Sequence, residues 1–348
     1  MNDLSKNCNI VFFGSGDFPV PTFKSLIACG YNITGLVTSH DKVFFNDKRI
    51  CEIAWQHGIP TYIPDGLSDK EFIDWLWEKN ADMFCVISYK VLPERLLRIP
   101  YIIAFNVHAS LLPFLKGPDP IYWAIRNGFK TTGLTSFVLD SKIDNGDIIS
   151  SMKINVEDNE TYGTLHQKMS EACRKFTIGT IEKLLNAPDV NDCVISQPVY
   201  DGNLVDKCGE LFHAPKLKDK DRILYGYDDF SERDINEVCA QLRALLPNRG
   251  MMLNFMCQGD GLIPFKIWDY ELHDVDNLSG EFSTIVTDKK NYLGIHTRSN
   301  PSKILFIKTI QRLSGKRMDI KSFLRGFKYF NGNNKKEYSV TVCGDVVV

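Results

Sequence analysis

Two polar side chains near the middle of the chain stand where chemistry is expected. Asn106 and His108 lie two positions apart at the end of an apolar run, Ile102–Val107, which is typical of a buried strand. Alternation along a strand places both side chains on one face. Open α/β sheets bind their ligands at the carboxyl ends of their strands. An amide and an imidazole at that edge can donate hydrogen bonds to a developing oxyanion.

A turn-rich loop farther along the chain carries carboxylates that could serve the same site. The segment Leu139–Asp147 contains Asp140, Asp144 and Asp147. One of these could pair with His108 or act as a base. Each residue also has an ordinary structural explanation, because strand histidines are commonly core or surface residues and Asp-Asn-Gly-Asp forms turns without any chemistry. The pattern alone leaves both interpretations open.

The elements that would position these residues alternate between strand and helix patterns. Strands are predicted at Asn9–Phe13, Ile33–Thr38, Ile59–Ile63, Asp82–Ser88 and Ile102–Val107, and helices at Pro21–Cys29, Ile50–His57 and Ser68–Lys79. Ser68 is the predicted N-cap of the third helix, whose apolar face is formed by Phe72, Ile73, Leu76 and Trp77. This alternation predicts a Rossmann-like, doubly wound, mostly parallel α/β sheet.

A glycine pair follows the first predicted strand and suggests a dinucleotide site. Gly14 and Gly16 match the first two glycines of that motif, but Pro19 and Val20 stand where the third is expected. The second strand is followed by Ser39–His40 rather than by an acidic residue. We therefore predict only a tight turn between strand and helix at this position.

The last third of the chain has a different pattern. Helices are predicted at Ile235–Leu246 and Ile320–Phe327, and short strands at Met251–Met256, Phe265–Tyr270, Ser283–Thr287, Gly294–Thr297 and Ile304–Ile310. This succession predicts a small β-barrel or sandwich. The expected organisation is a domain with the candidate site at 1–200, a polar, Lys-rich linker at 201–225, this second domain at 226–330 and a tail of unknown role at 331–348.

Bulk composition argues against several classes of protein. The 348 residues are 44% hydrophobic and 24% charged with a formal net charge of −2, so neither disorder nor a strongly basic nucleic-acid binder is expected. None of the ten cysteines forms a C-x-x-C pair, which argues against zinc-ribbon and dithiol redox sites. A polar start and the lack of long apolar runs predict a cytoplasmic protein without a membrane span. The basic stretch Lys316–Lys336 could meet phosphates, although a solvated helix end explains it as well.

Two motifs combine into a specific pattern. Asn-x-His-x-Ser-Leu-Leu-Pro at 106–113 is followed by Gly117 and then by Ile143–Asp147. Together they resemble the 10-formyltetrahydrofolate-dependent formyltransferase family. The resemblance implies that Asn106, His108 and Asp144 are catalytic, that 10-formyltetrahydrofolate is the formyl donor and that no metal is required. It also implies a folate site formed by Tyr89, Val91, Leu92, Ser110, Leu111, Leu112 and Pro113.

The resemblance continues into the second part of the chain. The segments His213–Leu217, Asp221–Ile223, Phe265–Trp268 and Leu313–Met318 are similar to segments of methionyl-tRNA formyltransferases, so the similarity reaches about Phe327. It implies that the second domain is the small, OB-like β-barrel that those enzymes carry. It also implies transfer of a formyl group to the amino group of initiator methionyl-tRNA. The residues that would then contact the acceptor are Lys42, Lys116, Lys316 and Arg317.

Two departures from that family keep other acceptors open. The interval Ser39–Arg49 is shorter than the family's tRNA-contacting loop, and Lys116 stands where an arginine is usual. Related sugar formyltransferases share the motifs, so N-formylation of a nucleotide-linked amino sugar is the first alternative. Formyl-folate hydrolysis, or folate binding alone, is the second. The sequence does not predict the oligomeric state.

Overall fold

The chain divides into two compact units. A computed structural model describes residues 7–39, 47–197, 213–222, 233–257, 261–275, 285–297, 299–327 and 341–343. The first unit lies within Met1–Ile121, Lys130–Asp158 and Thr164–Pro215, and the second within Tyr122–Phe129, Asn159–Gly163 and Lys216–Val348. In these described ranges no helix is long and apolar enough to cross a membrane. The domain limits expected from the sequence stay predictions.

A seven-stranded sheet forms the framework of the first unit. Its strands are β1 (Asn9–Gly14), β2 (Asn32–Val37), β3 (Thr61–Tyr62), β4 (Met83–Ile87), β5 (Ile103–His108), β6 (Thr131–Val138) and β7 (Ile148–Asn155). Their order is β3-β2-β1-β4-β5-β6-β7. Strands β1 to β5 run parallel, whereas β6 is antiparallel to β5 and β7 is antiparallel to β6. The predicted Rossmann-like, mostly parallel sheet is confirmed.

The described residues in this half of the chain include six α-helices. They are α1 (Val20–Ala28), α2 (Asp47–Gln56), α3 (Lys70–Glu78), α4 (Glu94–Leu97), α5 (Pro120–Arg126) and α6 (Tyr162–Asn186). The sequence patterns predict α1 to α3 but not the later helices, and they also miss β6 and β7. Strand β7 is exposed at alternate positions and contains two serines, a lysine and an asparagine, so it lacks the apolar run of a central parallel strand.

Burial explains why β1 and β4 lie at the centre of this sheet. Val11, Phe13, Phe84 and Val86 are all buried on these two strands. The ring centroids of Phe13 and Phe84 lie 4.9 Å apart. Burying one such side chain stabilises the fold by about 1.5–3 kcal/mol relative to exposure. The adjacent strand β5 is therefore held against a rigid apolar layer.

The N-terminus of α3 differs from its prediction. The helix begins at Lys70 and Asp69 occupies the N-cap position, so the Ser68 N-cap is wrong. The Asp69 carboxylate accepts a hydrogen bond from the backbone N–H of Gly66 over 2.8 Å. That bond closes the preceding turn, and the helix starts one residue later than the serine would place it.

The buried face of α3 also differs in one tryptophan. Trp77 is 57% exposed, although the sequence prediction places it on the apolar face. Trp75 is partly buried there instead and packs against Gly35, where an added Cβ would lie only 2.7 Å from its Cη2 atom. Its ring centroid is 5.2 Å from that of Tyr62. Positions 72, 75 and 76 follow the i, i+3, i+4 spacing of one helix face, and position 77 does not.

The glycine pair after β1 forms the predicted turn. Gly16 has a φ of 76°, a conformation that glycine adopts readily. The backbone N–H of Ser15 donates to the carbonyl of Ser88 over 3.1 Å. This bond joins the ends of β1 and β4 at the point where the strand order reverses.

The second unit is built on an antiparallel sheet. Its strands are β8 (Met251–Cys257), β9 (Gly261–Asp274), β10 (Ile285–Thr287), β11 (Leu293–His296), β12 (Lys303–Arg312), β13 (Met318–Asp319) and β14 (Thr341–Cys343), with helices α7 (Ile235–Leu245) and α8 (Ile320–Gly326). The order is β10-β11-β12-β9-β8-β14, with β13 on β12. A separate antiparallel domain is thus confirmed. Closure into a barrel stays a prediction, and β14 lies in the predicted tail.

An aromatic cluster fixes α8 on this sheet. The Phe265 ring lies 5.0 Å from Phe255, 5.3 Å from Phe323 and 5.7 Å from Phe327 between centroids. Asp319 is the N-cap of α8 and accepts a hydrogen bond from the backbone N–H of Ser322 over 3.0 Å. Capping and apolar packing therefore both determine where α8 begins.

Candidate active site

The candidate site is built on the carboxyl end of β5. Asn106 and His108 lie two residues apart and share one face of this strand. β5 is flanked by β4 and β6, and His108 is paired with Thr135 of β6. His108 is only 7% exposed, and Asn106 is partly buried. Both predicted residues therefore occupy the edge where such sheets bind ligands.

The His108 ring is fixed by contacts at both nitrogens. Its Nε2 lies 2.8 Å from the carbonyl oxygen of Leu115. Because a carbonyl oxygen only accepts, Nε2 carries the proton, and Nδ1 of the neutral ring holds the lone pair. That Nδ1 lies 3.8 Å from Oδ2 of Asp144, whose side chain is 13% exposed. The geometry leaves Nδ1 able to take a proton beside a carboxylate.

Asp144 occupies a strained turn between β6 and β7. Its φ is 48°, which L residues other than glycine rarely adopt. Its Oδ2 accepts a hydrogen bond from the backbone N–H of Gly117 over 2.7 Å. A Cβ added at Gly146 would lie 1.8 Å from the carbonyl oxygen of Val138, so glycine is required there. The structure thus brings Asp144 to His108, as the sequence predicts.

The loop after β5 is clamped by a residue that sequence reasoning missed. Thr135 is fully buried, donates to the Ser110 carbonyl over 2.7 Å and accepts from the Leu112 N–H over 3.0 Å. The Ser110 hydroxyl donates to the Phe114 carbonyl over 2.6 Å. Finding Thr135 from the sequence requires knowing that β6 pairs with β5, which no local pattern indicates.

Lys116 lies next to this loop and approaches the acidic turn. Its Nζ donates to Oδ1 of Asn145 over 2.9 Å. Burial lowers the pKa of Lys116 from its ordinary value, and the nearby Asp144 and Asp140 oppose that shift. Lys116 thus lies beside the Asp144 turn, where its partner is the Asn145 amide, and its contact with an acceptor stays a prediction.

The backbone of the same loop is held from outside the sheet. The N–H of Ala214 donates to the carbonyl of Lys116 over 2.6 Å, and the N–H of Asp119 donates to the carbonyl of Ala214 over 3.3 Å. Gly117 has a φ of 117°, and a Cβ there would lie 2.7 Å from the Ala214 carbonyl oxygen. Only glycine permits this approach.

The residues predicted to hold folate fall into two groups. Ser110, Leu112, Pro113 and Leu92 are buried, and Leu92 packs in the core cluster around Phe13 and Phe84. The remaining side chains are more accessible: Val91 is 59% exposed, and Leu111 and Tyr89 are partly buried. The hydroxyl of Tyr89 donates to the Thr38 carbonyl over 3.4 Å. The accessible side chains form an apolar surface that a ligand can contact. The buried side chains fix the conformation of the loops that carry this surface.

The predicted acceptor residues other than Lys116 are distant in sequence from Asn106, His108 and Asp144. Lys42 is outside the described residues. Lys316 and Arg317 are exposed in the segment between β12 and β13. The Arg317 guanidinium lies 3.3 Å from the ring centroid of Trp268. Trp268 Nε1 in turn donates to Oε1 of Gln311 over 2.7 Å, so Arg317 already takes part in the packing of the second unit.

Two family models match the chain, one for each unit of this architecture. A model described as formyl transferase matches residues 8–181. A second, described as formyl transferase, C-terminal domain, matches residues 229–328. The first includes Asn106, His108 and Asp144.

Relatives of similar length support the same grouping. Methionyl-tRNA formyltransferase of Azobacteroides pseudotrichonymphae is 32% identical over 335 residues, which are 93% of this chain and 98% of the relative. The protein of that name from Clostridioides difficile is 31% identical over 326 residues, 91% of this chain and 96% of the relative.

Solved structures agree in fold. WlaRD, a sugar 3N-formyl transferase, superposes with a TM-score of 0.59 at 14% identity and covers 89% of this chain and 99% of its own. HypX from Aquifex aeolicus in complex with tetrahydrofolic acid gives a TM-score of 0.57 at 12% identity, over 97% of this chain and 50% of its own. From both family models and the full-length relatives it follows that this chain belongs to the formyl transferase family.

Proposed function

We propose that this protein transfers the formyl group of 10-formyltetrahydrofolate to the amino group of initiator methionyl-tRNA. The assignment of methionyl-tRNA as the acceptor rests on the similarity to methionyl-tRNA formyltransferases, which extends over 93% of this chain and includes both units. That acceptor belongs to translation, so we also assign the enzyme to the cytoplasm. A direct assay of formyl product with methionyl-tRNA tests the proposal.

The residues present are compatible with a folate donor. Val91, Leu111 and Tyr89 offer accessible or partly accessible apolar surface, and Thr135 clamps the backbone of the loop at Ser110 and Leu112. An apolar surface with a few fixed polar groups is the usual character of a site for a flat heterocycle. WlaRD and HypX are described in the presence of 5-N-formyl-THF and with tetrahydrofolic acid, which supports the same class of donor.

The proposed mechanism is acyl transfer at the carboxyl end of β5. The donor supplies a formyl carbon that a neutral amine attacks, and negative charge develops on the formyl oxygen. Asn106 contributes an amide N–H to that oxygen, and His108, protonated at Nδ1, contributes a second donor. Removing one such donor costs about 100- to 1000-fold in rate. No metal ion takes part in the chemistry that we propose.

Asp144 orients His108 and relays the proton in this mechanism. Its Oδ2 faces Nδ1 of His108 at 3.8 Å and is fixed by the Gly117 N–H at 2.7 Å. A carboxylate in this position stabilises the charged imidazole and can accept the proton that the attacking amine releases. The tetrahedral intermediate then collapses: the bond between the formyl carbon and N10 of the folate breaks, N10 takes up that proton, and tetrahydrofolate leaves. His108 and Asp144 therefore act as a pair.

We propose the domain division expected from the sequence: a catalytic domain at 1–200, a linker at 201–225, a C-terminal domain at 226–330 and a tail at 331–348. The match of the two family models to residues 8–181 and 229–328 supports it. In this scheme the second domain serves the acceptor, and it carries the predicted acceptor contacts Lys316 and Arg317.

Charge reversal at Lys316 should weaken tRNA binding and flatten its salt dependence. Each phosphate that a cation neutralises contributes about −0.7 to −0.9 to the slope of log affinity against log salt. The slope for Lys316→Glu should therefore be less steep by about 0.7 to 0.9, the contribution of one phosphate contact. Filter binding of methionyl-tRNA at several salt concentrations measures it.

Lys290→Glu is the matched control, since it makes the same charge change at another exposed lysine of the second unit. Arg317 is a poorer choice because its guanidinium stacks on Trp268. Equal slopes for Lys316→Glu, Lys290→Glu and the unaltered protein would contradict the acceptor contact. A flat response to salt in the unaltered protein would favour the amino-sugar acceptor.

A further inference from the structure

We infer that Gln197 is a positioning residue for the Asp144 carboxylate, an inference that rests on the proposed function of that carboxylate. Gln197 lies beyond residues 8–181, which the first family model matches. Its Nε2 donates to the carbonyl of Asp144 over 3.0 Å and to the carbonyl of Gly146 over 2.9 Å. Both amide hydrogens are thereby used to hold the turn on either side of Asn145.

The turn at Asp144 requires such support. Asp144 has a φ of 48°, and residues in this conformation persist only where their surroundings hold them. Its side chain is fixed by the Gly117 N–H at 2.7 Å. Gln197 fixes its backbone through the carbonyl oxygen. Together these two anchors determine where Oδ2 lies relative to Nδ1 of His108.

The segment that carries Gln197 is itself attached to the sheet. The N–H of Ile148 donates to the carbonyl of Ile195 over 2.7 Å, and the N–H of Ile195 donates to the carbonyl of Ile148 over 2.9 Å. These bonds join backbone atoms only, and Ile195 lies two residues before Gln197 in the chain. Replacing the glutamine side chain should therefore leave the segment in place and release only the Asp144 turn.

The contacts require a glutamine amide at this position. A glutamate at this position would place carboxylate oxygens, which only accept, against the carbonyl oxygens of Asp144 and Gly146. An aliphatic side chain would leave both carbonyls without this donor. Asparagine is one methylene shorter and cannot span both carbonyls. The Oε1 atom of Gln197 is buried, and the described residues provide no hydrogen-bond partner for it. The amide nitrogen is thus the group that the fold uses.

Gln197→Met should lower kcat by about 10- to 100-fold with little change in KM for donor or acceptor, because a small displacement of a catalytic group acts on the transition state. Gln241→Met is the matched control. Gln241 is a buried glutamine whose Nε2 donates to the carbonyl of Asp221 in the second unit over 3.2 Å. Its replacement should lower the melting temperature without lowering kcat.

A double-mutant cycle separates positioning from stability. In an Asp144→Ala background, Gln197→Met should have almost no further effect on kcat, since the group that it positions is absent. The 15N chemical shifts of the His108 imidazole should move in Gln197→Met and not in Gln241→Met. If Gln197→Met does not fold, Gln197→Asn serves with the same expectations.

An unchanged kcat in Gln197→Met, an equal loss in both backgrounds, or unmoved His108 shifts would overturn the assignment. If the unaltered protein transfers no formyl group to any acceptor, the proposed function fails. The NMR comparison needs no turnover, so it then decides the role of Gln197 by itself.

Discussion

Replacing His108 with alanine is expected to lower kcat by about 100- to 1000-fold, because the site loses a charged donor to the developing oxyanion. The free energy of unfolding should also fall by about 1–3 kcal/mol, since the buried Leu115 carbonyl loses its donor. Single-turnover formyl transfer and thermal melting measure the two effects. Asp144→Ala should lower kcat by a comparable factor. Asn106→Ala should lower kcat by a smaller factor, because a water molecule can replace the lost amide donor.

His296→Ala is the matched control for His108→Ala. His296 is buried in the second unit, and its Nε2 donates to the carbonyl of Pro301 over 3.1 Å, as Nε2 of His108 does to Leu115. It should show a similar loss of stability with kcat unchanged. Because His108 and Asp144 act as a pair, the double variant should be hardly slower than either single one. Fully multiplicative losses, or activity retained in both single variants, would contradict the pair.

Gly146→Ala is expected to abolish most activity without touching any catalytic side chain. A Cβ at this position would lie 1.8 Å from the carbonyl oxygen of Val138, a backbone atom that cannot rotate away. The turn must therefore shift and carry Asp144 with it. A displacement of about 1 Å can cost about 100-fold in rate, so kcat should fall by at least about that factor. Steady-state kinetics and thermal melting measure the change.

Gly179→Ala is the control for this substitution. Gly179 lies inside α6, and a Cβ there would meet no atom within 4 Å. Alanine is the better helix former, so this variant should gain about 0.5–1 kcal/mol and keep its activity. Normal kcat in a folded Gly146→Ala variant would show that the position of the Asp144 turn does not matter for the chemistry.

Local patterns in the sequence predict the central strands and the main candidate residues. The apolar runs of β1, β4 and β5 follow from burial on both faces, and Asn106 and His108 follow from alternation at the end of β5. The resemblance to a known family was needed to select Asp144 among three acids. In the structure, Oδ2 of Asp144 lies 3.8 Å from Nδ1 of His108.

Residues that act over long sequence separations were not predictable in this way. Thr135 meets Ser110 across 25 positions, and Gln197 meets Asp144 across 53. Neither lies in a periodic pattern, because each acts through one or two hydrogen bonds to backbone atoms. Trp75, which packs against Gly35, was missed for another reason: the prediction assigned Trp77 to the apolar face of α3, although the i, i+3, i+4 spacing from Phe72 selects Trp75.

The most direct test of the central proposal is a comparison of acceptors. The purified protein is incubated with 10-formyltetrahydrofolate and either initiator methionyl-tRNA, a nucleotide-linked amino sugar or no acceptor, and the formylated product and consumed donor are measured. We expect rapid formation of formylmethionyl-tRNA, no formylated sugar and no loss of donor without an acceptor, with the tRNA reaction lost in His108→Ala. Formylation of the amino sugar but not of the tRNA, or equal consumption of donor without any acceptor, would contradict it.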